Sequence, residues 1–368
     1  MMQIDWVAKS YTVFEGYGRY GTHMIRALRQ CGAIVTPRLE EMARCPDWMK
    51  QEMGIVPNRF TISCLPPCYL QDAPSGGRHW LLSMTEGSEL PTNPVIWAKI
   101  INSRNIERVI VPCEHNADVF RRGGVKAPVH VIPGGTDPLE FPMLSGSRPD
   151  RPYTFLTLGD RGSRKGWHEV WKAFWATFKD TPDVRLIIKC RPGVNDTLDL
   201  IAHADNLDPR IVIQQDDAED MYDVFAQSDC VVLPSRSEGW GMPHREAACM
   251  GLPVITQRYS GLDDGHTDEW AFVVEQGRMD AIPEDFQHIA GEWRIADVDE
   301  LAAKMRWCYE HPSTARQYGR YAAQWIRQNQ TWHHAAKMLL NLIEEYEDTR
   351  CMGGLVKGSL PIVKGCWD

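Results

Sequence analysis

Residues 233–255 read LPSRSEGWGMPHREAACMGLPVI. An apolar run enters, a glutamate and two glycines follow, a second glutamate stands eight positions on, and an apolar run leaves. CVVLP before the turn and PVITQ after it are short and fully apolar, as expected of strands buried on both faces. The segment between has the length of one turn and one crossover helix. Glu238 is thereby placed at the carboxyl end of a strand and Glu246 on the helix. Pro243 suits the first helical turn, where a missing N–H costs nothing. Gly239 and Gly241 let the backbone approach a ligand closely.

A helix that starts in this way offers free N–H groups and the positive end of its dipole to an anion. A carboxylate two turns along is too far to grip that anion, but it can accept two hydrogen bonds from a vicinal diol, as an acidic residue does with ribose in dinucleotide folds. Glu238, nearer the turn, is placed to do the same for sugar hydroxyls. The competing reading is an ordinary strand, turn and helix with solvated glutamates.

Outward from this stretch, strand-like and helix-like patterns alternate. IDWVA, AIV, RFTISCL, HWLLSM, RVIVPC and VHVIP read as strands in the first half, with helices in GRYGTHMIRALRQCG and NPVIWAKIINSRN. Residues 134–152 are rich in Gly, Pro and Ser, a linker composition. The alternation then restarts with YTFLTLG, a helix over 166–179, VRLIIKC, a helix near 196–205, RIVIQQ, a helix over 217–228, CVVLP, a helix over 243–251, and PVITQ. From 297 to about 348 the pattern is helical. The expected fold is α/β: two Rossmann-like, doubly wound parallel-sheet domains facing each other across a cleft. The boundaries are 1–140 for the first domain, 141–152 for the linker, 153–330 for the second domain and 349–368 for a tail, with a helix over about 331–348 able to pack back on the first domain.

Composition narrows the function. The chain has 368 residues, 43% hydrophobic and 24% charged, a soluble globular balance. No apolar run reaches the ~18 residues of a membrane span, and Asp5, Lys9 and Glu15 leave no apolar leader. The expected location is cytoplasmic. Eleven scattered cysteines without a C-x-x-C pair read as thiols in a reducing compartment, and Cys64 with Cys68 makes a poor zinc site. Residues 1–140 hold 15 Lys and Arg against 14 Asp and Glu, and the remainder 25 against 35. A general polyanion binder shows a basic excess instead, so nucleic acid is not favoured as a partner. The basic face of Arg19, Arg26 and Arg29 is too weak to argue bilayer docking, although peripheral membrane contact stays open.

PSRSEGWGMPHREAACMGLPVI resembles the signature of the retaining glycosyltransferase family four, the "group one" family with a GT-B fold. LGDRGSRKGWHEVWKAFWATF at 158–178 is similar to that family's glycine-rich loop ending in K-G. VIPGGTDPLEF at 131–141 is similar to its linker entry, and FEGYGRYGTHMIRALRQCGAIV at 14–35 to its N-terminal glycine loop, helix and second strand. The resemblance spans residues 4–348 and is strongest over 131–256.

The resemblance implies transfer of a sugar from a nucleotide-diphosphate sugar, UDP- or GDP-linked, to a hydroxyl acceptor such as a saccharide. It further implies retention by same-face attack, with no metal or other cofactor required. By position, Glu238 contacts donor sugar hydroxyls, Glu246 the ribose, and Lys165 the diphosphate, with Gly239, Trp240 and Gly241 forming the donor turn. Where the family carries an arginine five residues before the lysine, Asp160 stands here, which leaves Arg161 and Arg164 as alternatives for the second cation. Many relatives carry a histidine after the fourth strand. SMTEGSELP has none, and Glu86 is the candidate acceptor or sugar contact, with a turn cap as its other reading. Gly16 and Gly18, with Arg19, form the first glycine loop across the cleft, with a helix start that needs room as the other reading.

Three smaller patterns resolve to structure rather than chemistry. Asp297 followed by Glu300 reads as a helix cap and not a metal pair. His333 and His334 are adjacent on a helix and point apart. Trp167, Trp171 and Trp175 read as core packing. Two alternatives to the leading function stay open: a transferase acting on a hydroxylated base in DNA, as for some viral GT-B enzymes, and a nucleotide-sugar isomerase or hydrolase on the same scaffold.

Overall fold

The computed structural model describes residues 2–9, 11, 16–39, 60–72, 78–93, 96–145, 151–159, 162–191, 208–216, 220–284, 286 and 288–356. Two parallel six-stranded sheets form two lobes. The first holds β1 (Gln3–Ala8), β2 (Ile34–Leu39), β3 (Phe60–Cys64), β4 (Arg78–Leu82), β5 (Arg108–Val111) and β6 (Val129–Val131), in the order β2-β1-β3-β4-β5-β6. The second holds β7 (Tyr153–Leu158), β8 (Val184–Cys190), β9 (Ile211–Gln215), β10 (Cys230–Leu233), β11 (Val254–Gln257) and β12 (Phe272–Val274), in the order β12-β11-β10-β7-β8-β9. The central strands are buried on both faces, which is why they read as unbroken apolar runs.

Helices cover the sheets: α1 (Gly16–Gln30), α2 (Trp97–Ser103) and α3 (Glu114–Arg122) in the first lobe, then α4 (Trp167–Phe178), α5 (Met221–Phe225), α6 (Met242–Cys249) and α7 (Thr267–Trp270) in the second. Three long helices follow, α8 (Val298–Glu310), α9 (Pro312–Asn329) and α10 (Trp332–Val356). Asp297 caps α8 by accepting from the Glu300 N–H at 2.8 Å. The expected helix near 196–205 lies outside the described residues. Of the three tryptophans on α4, Trp167 is fully buried, whereas Trp175 is half exposed and contributes little to the core.

Two features were not read from the sequence. Strand β12 extends the second sheet, and an antiparallel hairpin, β13 (Gly277–Ala281) with β14 (Glu292–Ala296), stands apart from it. The hairpin loop reaches the first lobe, where the Glu89 N–H donates to Ala290 O at 3.2 Å and Ser88 Oγ accepts from the Glu292 N–H at 2.8 Å.

The chain crosses between lobes twice, at one place. Thr136 and Thr331 form a parallel bridge, Thr136 N–H donates to Gln330 O at 2.9 Å, and Trp332 N–H donates to Thr136 O at 3.2 Å. Helix α10 then lies on the first lobe, where Trp332, Leu339 and Ile343 share a core with Tyr20, Met24 and Leu28. The stretch read as a linker at 141–152 is partly built into the second lobe. Phe141 is buried against Phe225 in that core, and Leu144 N–H donates to Met250 O. Helix α10 likewise runs past the boundary placed at 348, and Arg350 bonds Glu107 at 3.1 Å. No described helix is long and apolar enough to cross a membrane.

Candidate functional site

The two lobes meet at the carboxyl ends of their strands, the position where open parallel sheets take ligands. Glu238 follows β10 and sits in a turn held by its neighbours: its N–H donates to Ser260 Oγ at 2.9 Å, and its carbonyl accepts from Gly261 N–H at 2.9 Å. Lys165 and Arg164 close the turn before α4. Lys165 Nζ donates to Glu238 Oε1 at 2.6 Å, while Arg164 Nη1 lies 3.2 Å from Glu238 Oε2 and 3.2 Å from Glu86 Oε1. Arg164 also donates to Ser237 O at 2.7 Å. Four of the residues singled out in the sequence thus converge: Glu86 from the first lobe, and Arg164, Lys165 and Glu238 from the second.

Burial opposes charge on Glu238, but Arg164, Lys165 and His244 outweigh it and hold the carboxyl well below its usual range. Burial, with Arg164 beside it, draws the Lys165 ammonium downward. Glu238 is therefore an anion at neutral pH, poised as a hydrogen-bond acceptor.

Glycines shape both turns. Gly166 has φ +71°, and a Cβ there would lie 2.3 Å from Pro234 O. Gly241, the N-cap of α6, has φ +78°, which an L side chain rarely adopts. Gly239 is also tightly packed, but against the Met84 side chain of the first lobe. Trp240, expected in the donor turn, sits in that turn with its ring beside Gly134. The ring is buried, and the Arg245 guanidinium lies over it at 3.6 Å.

Arg245 organises the back of the turn. It donates to Gln330 Oε1 at 2.9 Å, to Asp264 Oδ2 at 2.6 Å, to Gly261 O at 3.2 Å and to Trp240 O, and it lies over the Trp270 ring as well. His244 must donate from Nε2 to Leu233 O at 2.9 Å, since that carbonyl only accepts.

Glu246 lies on α6 and is 4% exposed. Arg19 reaches it across the cleft, Nε to Oε1 at 3.1 Å, and also donates to Glu140. Burial and the nearby Glu140 push the Glu246 carboxyl up, and Arg19 opposes them. His23 faces Glu140 at 3.3 Å, and burial, with Arg19 and Arg26, pushes its pKa down to about 3. Among the described residues, His23, Asp137 and Glu140 place ligand atoms within 4.8 Å of one another, but Arg19 already brings a cation to Glu140.

Gly16 and Gly18 lie in the first turn of α1, at a helix start, and residues 12–15 before them lie outside the described residues. Arg161 lies outside the described residues, as does Asp160. His333 contacts Cys31 Sγ and His334 contacts Thr331, so the pair does not share a ligand position. Asp216, just after β9, pairs with Lys189 at 3.2 Å. Arg245, Asp264, Gln330 and Glu140 escaped the sequence reading, because each acts through a partner from another part of the chain.

Comparison with known proteins gives this architecture a class. Residues 145–292 match the family model "Glycosyl transferases group 1". The chain is 26% identical over 212 residues to glycogen synthase of Mycobacterium tuberculosis, covering 57% of this chain and 47% of that protein. It thus spans about half the length of that curated relative. Among solved structures, sucrose-phosphate synthase from Thermosynechococcus elongatus superposes with a TM-score of 0.67 at 14% identity, covering 95% of this chain and 100% of that one. The Anabaena protein HepE, in complex with UDP and glucose, gives 0.65 at 14% identity, covering 94% and 100%. The fold is GT-B, and residues 145–292 belong to the group 1 glycosyl transferases.

Proposed function

We propose that this protein transfers a glycosyl group from a nucleotide-diphosphate sugar to a hydroxyl acceptor, most simply a saccharide, with retention of configuration and without a metal ion. The observation that carries the reading is the convergence of Lys165 and Arg164 on an ionised Glu238, in the turn that leads into α6. The family match over the same segment supports it.

The chemistry follows from charge. As the sugar departs, negative charge grows on the diphosphate. Lys165, Arg164 and the free N–H groups of α6 stabilise that charge where it develops. Glu238, anionic and already oriented, accepts hydrogen bonds from the sugar hydroxyls. Glu246 accepts from the ribose diol, and Glu86 contacts the acceptor or sugar from the first lobe. Same-face attack lets the departing phosphate take the acceptor proton, so no side chain need act as nucleophile.

The test is donor turnover by the purified chain over a panel of UDP- and GDP-sugars, with and without saccharide acceptors, read by NMR. Acceptor-dependent release of nucleoside diphosphate, insensitive to EDTA, with the donor's anomeric configuration preserved in the product, is expected. Equal turnover without acceptor would favour the isomerase or hydrolase reading, and an inverted product would remove retention.

A further inference from the structure

Glu86 belongs to the first lobe, yet its partner Arg164 belongs to the second, 3.2 Å away. Where the glutamate reaches depends on the backbone that carries it. The first turn of α3 holds that backbone on both sides of Glu86. Asn116 Oδ1 accepts from the Thr85 N–H at 2.5 Å, and His115 Nε2 donates to Gly87 O at 3.1 Å. Thr85 Oγ1 accepts from the Gly87 N–H at 3.3 Å, which closes the turn around the glutamate.

The same asparagine also faces the second lobe. Its Nδ2 donates to Gly239 O at 3.4 Å, one residue beyond Glu238, and to Cys113 Sγ at 3.1 Å. A backbone N–H only donates and a carbonyl only accepts, so the Thr85 and Gly239 bonds require an oxygen and an N–H on one side chain. An amide supplies both. An ionised aspartate offers acceptors alone, and a leucine of similar size offers neither. Asn116 is fully buried, so solvent does not stand in for a lost bond.

One amide therefore ties the residue before Glu86 to the residue after Glu238. Arg164 Nη1 marks where the two turns meet, 3.2 Å from each carboxylate. The Glu238 turn has further anchors in its own lobe, at Ser260 and Gly261. The Glu86 turn leans on α3, so the loss of Asn116 falls on Glu86.

We propose that Asn116 is a positioning residue of the transfer site: its amide sets the Glu86 turn against the Glu238 turn, and it acts on the acceptor side through Glu86. This rests on the reading of Glu86 as an acceptor or sugar contact. The diphosphate, assigned to Lys165 and Arg164, is bound without its help.

The test uses the full chain, with the donor and saccharide acceptor of best turnover from the panel of UDP- and GDP-sugars, and calorimetric titration with UDP and GDP. Asn116→Leu should lower kcat as far as Glu86→Gln does, by up to about 10²-fold, the loss that a misplacement near 1 Å brings. It should raise KM for the acceptor and hardly move the affinity for UDP or GDP. The two substitutions together should cost no more than either alone, as for residues that act as a unit. Asn116→Asp keeps the bond to Thr85 and should retain more activity than Asn116→Leu. It also carries the same comparison with Glu86→Gln if the leucine form does not fold.

Full activity of the Asn116 variants, losses that multiply with that of Glu86→Gln, or a fall in UDP and GDP affinity as large as the fall in kcat would overturn the positioning role and leave Glu86 standing. If Glu86→Gln turns over as wild type does, or wild type transfers nothing across the panel, the reading of Glu86 fails and the role of Asn116 with it.

Discussion

Lys165 donates to Glu238 at 2.6 Å, and neither residue would be placed without glycines in its own turn. The pair joins the turn before α4 to the turn after β10, 73 positions later. It sets the charge of the site, since the cations keep Glu238 ionised against its burial. Glu238→Gln should lower kcat by about 10²–10³, the range seen when one preorganised polar contact to a transition state is removed. KM for the donor should move much less. Steady-state kinetics on the best nucleotide sugar checks this, and an unchanged kcat would exclude Glu238 from the sugar contact.

Gly166 offers a test of the turn rather than of the charge. An alanine there meets Pro234 O at 2.3 Å and must hold a left-handed φ. Gly166→Ala should destabilise the fold by about 1–3 kcal/mol and carry Lys165 away from Glu238. Urea unfolding together with donor affinity reads both effects. A variant of normal stability and affinity would show that the turn tolerates a side chain.

Arg245 tests the support behind the donor turn. The guanidinium is fully buried and answers Asp264, Gln330 and two backbone carbonyls. Arg245→Met removes the partner of a buried carboxylate, a change that costs about 3–5 kcal/mol. The melting temperature should drop accordingly. Asp264→Asn, which keeps the shape and loses the charge, should be milder.

Mild acid should weaken the fold through its buried histidines. Burial pushes His23 and His244 down to about 3, and His79 and His168 to about 4. In the unfolded chain these groups titrate near 6.5. Between that value and about 4 the unfolded chain holds more protons, so stability is full above pH 6.5 and falls as the pH drops toward 4. Glu238 adds a second loss. Its folded pKa is depressed, so its contribution is present above the ordinary carboxylate value and disappears as pH falls through the depressed one. Thermal melts from pH 7.5 to 4.5 should decline steadily, and a flat profile would contradict the neutral burial of these rings.

What the sequence made legible was set by how local each signal is. Apolar strands such as CVVLP and VRLIIKC announce burial on two faces, and both appear where expected. The Asp297 cap was readable because its partner stands three residues away. The hairpin at 277–296 was not, since GRMDA is mostly exposed and lacks an alternating pattern. The same division holds at the cleft. Glu238, Glu246 and Lys165 lie in compact motifs, but no local pattern could pair Glu246 with Arg19, or Arg245 with Gln330. The stacking of Arg245 on the Trp240 ring was out of reach for a related reason: stacking partners leave no periodic trace.

Helix α10 returning to the first lobe has a practical consequence for dissection. A fragment ending near residue 140 would strip Trp332, Leu339 and Ile343 from α1 and leave Tyr20, Met24 and Leu28 facing solvent. Such a truncation should aggregate. Grafting the final helix ahead of β1, by circular permutation, would restore a contiguous first half that can be expressed alone.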